Sequence, residues 1–138
     1  MNKLDLLLDR VTKLEKKYYK SYNYYTFMNN LLVLPSIALT SLASIFSFLS
    51  NSELFEAEQK SDFLVAVAII TALSSLLQTI SGSCEFSVKK NQFNQAANEF
   101  NSLVDKISFE ILDKDEEDFI STIEEEIKRI KEACKFLP

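Results

Sequence analysis

Two long stretches of the chain contain no charged residue, and they constrain the fold more than any other feature. They cover Ser21–Ser52 and Phe63–Cys84, and the ten-residue acidic segment Glu53–Asp62 separates them. The dense apolar part of each is about 19 residues long, which spans about 30 Å as a helix, the thickness of a bilayer's hydrocarbon core. Because so short a connection allows little more than a turn, the pattern predicts a transmembrane helical hairpin.

The rest of the chain is predicted to be helical as well. One glycine and two prolines among 138 residues leave few sites for tight turns,. Apolar residues recur at helical spacing near the N-terminus, at Leu4, Leu7, Val11, Leu14 and Tyr18, and near the C-terminus, at Ile120, Ile123, Ile127, Ile130, Cys134 and Leu137,. We therefore predict an all-α, single-domain protein with an N-terminal arm (1–28), spans (31–50 and 63–83), a loop (53–62) and a water-side arm (85–138).

Prolines suggest where these helices begin and end. Pro35 predicts that the first membrane helix begins there, after a break at Asn29–Asn30,. No proline interrupts Phe63–Leu112, so the second span is expected to continue into water as one long helix,. That helix carries a heptad-like seam, predicted to pack within a helical bundle or between subunits, at Phe93, Ala97, Phe100, Val104, Ile107 and Ile111,.

Each span also carries a row of small residues at helical spacing. The rows are Ser36, Thr40, Ala43, Ser44 and Ser47 in the first span, and Ala68, Ala72, Ser75, Thr79 and Gly82 in the second. Small residues allow membrane helices to approach closely. The rows therefore predict either contact between the two helices of the hairpin, which we favour, or a weakly polar pore lining. Gln78 is the one amide deep in either span.

The residues that flank the spans predict their orientation. Six Lys/Arg precede the first span and Lys89 and Lys90 follow the second, whereas the loop contains only Lys60. By the positive-inside rule both termini face the cytoplasm. The tyrosines at 18, 19, 22, 24 and 25 are typical of an aromatic belt at the membrane surface, although packing on neighbouring helices would also suit them,.

Little in the sequence suggests chemistry. Histidine is absent, and the sequence shows no nucleophile–base set, phosphate-binding loop or basic stripe for nucleic acid, so we expect neither an enzyme nor a cofactor,. Asp113–Glu124 resembles a calcium-binding loop, but Asp118 stands where that loop needs glycine,. We therefore interpret these acids as a helix cap and predict no metal site. Cys134 is expected in the core, and Cys84 at a helix end.

Several motifs give the chain a family resemblance over about residues 18–138. Asn29, Asn30, Pro35 and Ser36 open the first span, and the following helix carries Ala96, Ala97, Phe100 and Leu103, then Lys106, Ile107, Glu110 and Ile111. In these features, and in its proline-terminated last helix, the chain resembles the SLATT family of two-transmembrane proteins, particularly the stand-alone versions of large DNA viruses. The histidine that family members often carry after the second span is missing.

Two classes of function follow. The first is a structural or scaffolding membrane protein, for example of a virion inner membrane. Such a protein would oligomerise through its water-side helices, with the lipid membrane, further copies and other membrane or capsid proteins as partners. The bacterial members imply the alternative, a pore-forming or membrane-permeabilising effector. No sensor domain accompanies the spans here, and the spans carry no ionisable residue, so we favour the structural class.

Overall fold

The computed structural model describes residues 2–109 and 116–138, and these residues form four α-helices with no strand among them. The helices are α1 (Lys3–Ser50), α2 (Ala57–Cys84), α3 (Phe86–Phe109) and α4 (Glu116–Ala133). The all-α prediction is therefore confirmed. The chain divides into two compact units, one made of the segments up to Thr26 and from Ser87 onward, the other of Phe27–Phe86.

The first helix begins long before the first apolar stretch. α1 runs without interruption from Lys3 to Ser50 with Pro35 inside it, so the predicted break at Asn29–Asn30 and the predicted helix start at Pro35 are wrong. Proline removes one backbone hydrogen bond and crowds the preceding turn, at a cost of about 3 kcal/mol. A full break is the larger loss, because each new helix end leaves four backbone groups without partners inside the helix.

The connection between the apolar helices is shorter than expected. α2 already begins at Ala57, inside the segment 53–62 that was predicted to be a loop. The backbone N–H of Glu56 donates to the Gln59 side-chain oxygen over 3.2 Å, which satisfies one donor at the helix start,. Glu58 lies in the first turn, where a negative charge is favourable near the helix N-terminus,.

The prediction of one helix from the second span into water is also wrong. α2 ends at Cys84 and α3 begins at Phe86, and Glu85 between them has a left-handed backbone with φ of 53°. The Glu85 N–H donates to the Gly82 carbonyl over 3.3 Å, a bond that closes the end of α2,. A single non-glycine residue in this conformation interrupts the helix without any proline, at a cost of about 1–2 kcal/mol.

The first unit is a three-helix bundle. The N-terminal part of α1 runs antiparallel to α3, as the ring contacts of Tyr18 with Phe100 and of Tyr25 with Phe93 show. Its core contains fourteen buried apolar side chains, of which Val11, Phe93, Phe100 and Ile123 have no exposed surface. The predicted apolar faces of the N- and C-terminal helices are confirmed up to Cys134, which lies in the core as expected. Leu137, the last residue of the predicted C-terminal face, is 91% exposed, because the helix already ends at Ala133, so the prediction is wrong at this residue.

The apolar seam on α3 packs against the other helices of the same chain. Phe93, Ala97, Phe100 and Ile107 are at most 3% exposed, and Val104 packs against the same core. Ile111, the last residue of the predicted seam, lies outside the described residues. Of the two predicted uses of the seam, the structure shows packing within the bundle, so these side chains are already covered in a single chain.

The tyrosines before the first span divide between core and surface. Tyr18 is buried against Phe93 and Phe100, at 5.9 and 5.1 Å between ring centroids. Tyr25 stacks on Phe93 at 5.4 Å, whereas Tyr19 and Tyr24 are exposed. Burial raises the pKa of the Tyr18 phenol, and the neighbouring Cys134 thiol adds a smaller contribution in the same direction. The cluster therefore serves mainly as core, and only part of it is free to lie at a membrane surface.

The second unit pairs the C-terminal half of α1 with α2, and we call this arrangement the helix pair (Phe27–Ser50 with α2). Contacts between Phe46 and Phe63 and between Ser36 and Ser74 show that the two helices are antiparallel. Phe55, in the connecting turn, contacts Phe63 edge-on at 5.0 Å. Both helices are long and apolar enough to cross a membrane, and only 6% of the most apolar 18-residue window of each is buried.

Candidate functional site

A cluster of polar side chains joins the two helices of the helix pair. Ser36 and Ser74 are buried, at 4% and 5% exposure, and their Oγ atoms lie 3.1 Å apart. Thr40 Oγ1 lies 3.0 Å from Ser74 Oγ and also donates to the Ser36 carbonyl over 2.9 Å. Among strongly apolar neighbours, each of these hydrogen bonds avoids the cost of an unsatisfied hydroxyl group.

Gln78 extends this cluster toward the surface of the helix pair. Its Nε2 donates to Ser36 Oγ over 3.2 Å, although Gln78 itself is exposed. Gln78 and Ser36 line a groove of about 350 Å³ whose other walls are Leu32, Val33, Ile37, Ser81 and Gly82. We call Ser36, Thr40, Ser74 and Gln78 the polar cluster.

Sequence reasoning found part of the polar cluster. Ser36 and Thr40 belong to the predicted row of the first span, and Gln78 was singled out as the one deep amide. Ser74 was missed because it lies outside the predicted row of the second span. A usable signal exists, since Ser74 precedes Gln78 by four residues and therefore shares its helix face,.

The predicted rows of small residues mostly do not form the contact between the two helices. In the first span only Ser36 is buried and Ala43 partly buried, while Thr40, Ser44 and Ser47 are largely exposed. In the second span every member of the row is exposed, namely Ala68, Ala72, Ser75, Thr79 and Gly82. A Cβ atom added at Gly82 would meet nothing within 4 Å. The preferred interpretation, contact inside the hairpin, therefore does not describe the second row.

The exposed hydroxyl groups do not require water. Thr40, Ser44 and Thr79 each donate to the backbone carbonyl four residues earlier, over 2.9, 3.1 and 2.9 Å. Ser41 does the same over 3.0 Å. These hydroxyls are satisfied within their own helices, so a lipid environment is compatible with them.

The described part of the acidic segment supports the interpretation that its acids cap the last helix. Asp113 and Asp115 lie outside the described residues, but α4 begins at Glu116, the fourth position of the segment 113–124 that resembles a calcium loop. Glu116 and the residues after it are therefore held in a helix. A calcium-binding loop instead requires the chain to curve so that its ligands surround the ion. Glu116, Glu117 and Asp118 occupy the first turn of α4,. Among the described residues no group of acids, cysteines or histidines is arranged to hold a metal.

The polar cluster contains hydroxyl and amide groups and no ionisable group. It can therefore hold helices together by hydrogen bonds, but it offers neither a nucleophile with a base nor a proton-transfer path.

Comparison with known proteins adds no relative. No protein-family model, curated protein or solved structure matches the chain. Fold and site together define the class: an all-helical protein with two helices able to span a membrane.

Proposed function

We propose that the chain is an integral membrane protein whose helix pair crosses the bilayer as a hairpin. The single observation that carries the proposal is the apolar surface of the pair. Phe48 is 75% exposed, and Leu34, Ile37, Leu64 and Ile69 each exceed half exposure. A core helix of a water-soluble protein of this length and apolarity would bury most of this surface, whereas lipid covers it without a protein partner.

Within the membrane we assign the protein a structural or scaffolding role. The polar cluster links the two spans, and the hydroxyls of Thr40, Ser44 and Thr79 each donate to a carbonyl of their own helix. Neither span carries a charged residue. A hairpin with such surfaces anchors the bundle, and nothing in it needs an aqueous lumen.

Contact between copies is proposed through the membrane helices. The seam on α3, first expected to join subunits, is buried inside the bundle, and separating Phe93 and Phe100 from their neighbours would expose two full aromatic side chains,. The predicted row of small residues on α2, which includes Ala72, Ser75 and Thr79, is exposed in the single chain. Small residues allow helices of two copies to approach closely in a membrane.

A membrane-permeabilising effector is the second candidate. The observation in its favour is that small and hydroxyl-bearing residues, among them Ser44, Ser47 and Ser75, face outward in the single chain, where several copies could surround a lumen. Dye-loaded liposomes test it directly. Leakage that depends on the protein and is lost on Ser44→Leu or Ser47→Leu would favour a pore, whereas tight liposomes with inserted protein favour the structural role.

Carbonate extraction tests the membrane proposal itself. Alkaline carbonate releases peripheral and soluble proteins from membranes but leaves integral ones in the pellet. We expect the full-length chain in the pellet. Its quantitative release into the supernatant would contradict a membrane-spanning helix pair.

A further inference from the structure

The charges of the three-helix bundle are divided between its two ends. The end at which the chain passes into the helix pair comprises residues 17–26, 87–101 and 127–138, and it holds eight Lys/Arg and two Asp/Glu. The remaining described part, residues 2–16, 102–109 and 116–126, holds five Lys/Arg and ten Asp/Glu. We call the first the basic end. The net charge of the whole chain, −5, conceals this division.

Contacts within the bundle show that the three segments of the basic end lie together. The Lys89 ammonium lies 5.5 Å from the Tyr25 ring and 5.3 Å from the Phe136 ring. The backbone N–H of Lys135 donates to the Gln92 side chain over 2.8 Å. The end of the α1 portion, the start of α3 and the C-terminal segment therefore meet at one place.

Several cations of the basic end have no counter-charge. Lys17, Lys20, Lys131 and Lys135 are exposed, and none forms an ion pair with a described residue. By contrast, Arg10 and Lys106, toward the other end, each face a glutamate of α4. Unpaired lysines on one surface attract anions and raise their local concentration.

The basic end also exposes apolar side chains. Tyr24 is 57% exposed, Val88 48% and Leu137 91%. Aromatic and aliphatic groups beside lysines are typical of a surface at the level of lipid headgroups, where apolar groups enter the interface and ammonium groups meet phosphates. An acidic soluble partner would account for the lysines but not for these apolar groups.

We propose that the basic end binds the phosphate groups of anionic lipids in the membrane that the helix pair spans. This inference rests on the proposed function, because the junctions Thr26–Phe27 and Phe86–Ser87 tether the basic end to the membrane only if the helix pair is inserted. Binding would favour anionic over zwitterionic lipids next to the protein and would weaken as salt screens the charges.

Spin-labelled lipids in reconstituted vesicles test the proposal on the full-length protein. The motionally restricted fraction is measured by electron paramagnetic resonance for labelled phosphatidylglycerol and phosphatidylcholine. Each lysine close to an anionic surface contributes up to about 5-fold, but only part of the lipid shell faces the basic end. We therefore expect phosphatidylglycerol to be preferred by at least about 2-fold, and the preference to disappear in about 1 M salt, where the Debye length is about 3 Å.

Paired variants assign the preference to the basic end. Lys17→Gln/Lys20→Gln should lower the preference, while Lys3→Gln/Arg10→Gln, which removes the same charge from the other end of the bundle, should leave it unchanged. Equal restricted fractions for both lipids, or equal losses in both variants, would overturn the proposal. If no lipid is restricted with either label, membrane insertion itself fails, and with it the proposed function.

Discussion

The hydroxyl oxygens of Ser36 and Ser74 lie 3.1 Å apart between α1 and α2, and both side chains are buried. They form the centre of the polar cluster that joins two otherwise apolar helices. Because they are 38 positions apart in sequence, this contact fixes how the helices face each other.

Removing the Ser74 hydroxyl is expected to loosen the helix pair. Ser74→Ala should lower the free energy of unfolding by at least about 0.6 kcal/mol, the average for a hydrogen bond between membrane helices, and by at most about 1.7 kcal/mol. Unfolding in mixed detergent and dodecyl sulfate, followed by far-ultraviolet circular dichroism, measures the change. The control is Ser75→Ala on the neighbouring exposed position, which should change the free energy by less than about 0.5 kcal/mol. Equal effects of the two variants would contradict the role of Ser74.

Truncating a side chain of the α3 seam should destabilise the single chain. Phe100 has no exposed surface and contacts Tyr18, so Phe100→Ala should cost about 3–5 kcal/mol through lost burial and a cavity,. Phe109→Ala is the control, since Phe109 is 79% exposed. The two are compared by thermal unfolding in detergent at a protein concentration that excludes oligomers. If Phe100→Ala is harmless there, the seam does not form the core of the bundle.

Glycine at position 85 should stabilise the protein. Glu85 has a φ of 53°, which glycine adopts without steric penalty,. Glu85→Gly is expected to raise the free energy of unfolding by about 1 kcal/mol, measured by the same unfolding transition. Ser83→Gly, inside α2, should instead lower it by about 0.5 kcal/mol. A loss of stability in Glu85→Gly would show that the helix is not interrupted at this residue.

The bundle should lose stability in alkaline solution partly through Tyr18. Burial raises the pKa of Tyr18 in the folded protein above the ordinary value of 10.0. The folded state therefore holds this proton more tightly than the unfolded state. The resulting contribution to stability is complete below pH 10 and declines as the pH rises through the folded pKa. Tyr18→Phe should flatten the fall in unfolding temperature above pH 10, whereas Tyr24→Phe should not. Identical pH profiles for the two variants would contradict the assignment.

Sequence periodicity predicted the helices and the apolar faces of the bundle, because buried positions on a helix must recur every three to four residues. It could not decide whether the α3 seam meets its own chain or another, since both arrangements bury the same stripe. The small-residue rows show the same limit. The apolar part of α2 looks similar on every face, so its sequence does not indicate which face meets α1. The contact face contains Ser74, and Ser74 can be recognised as a contact residue only through its partner Ser36 in the other helix.

Helix boundaries were harder to predict, because they depend on differences of a few kcal/mol. Pro35 appeared to be a helix start, yet the helix continues through it since losing one hydrogen bond costs less than forming two new ends,. Glu85 carries no sequence signal for the left-handed conformation that ends α2. The sequence pattern thus predicted which helices are present. The residues at which they end depend on small differences in backbone hydrogen bonding.

The central claim, that the helix pair spans a membrane with both termini on one side, is tested most directly by cysteine accessibility. In a background with Cys84→Ser and Cys134→Ala, single cysteines at Lys3, Asn51 and Leu73 are exposed to a membrane-impermeant maleimide in sealed, oriented vesicles. We expect Lys3→Cys and Asn51→Cys to react from opposite sides, and Leu73→Cys, 49% exposed in the single chain, to react only after solubilisation in dodecyl sulfate. Reaction of Leu73→Cys in intact vesicles, or of Lys3→Cys and Asn51→Cys from the same side, would contradict the account.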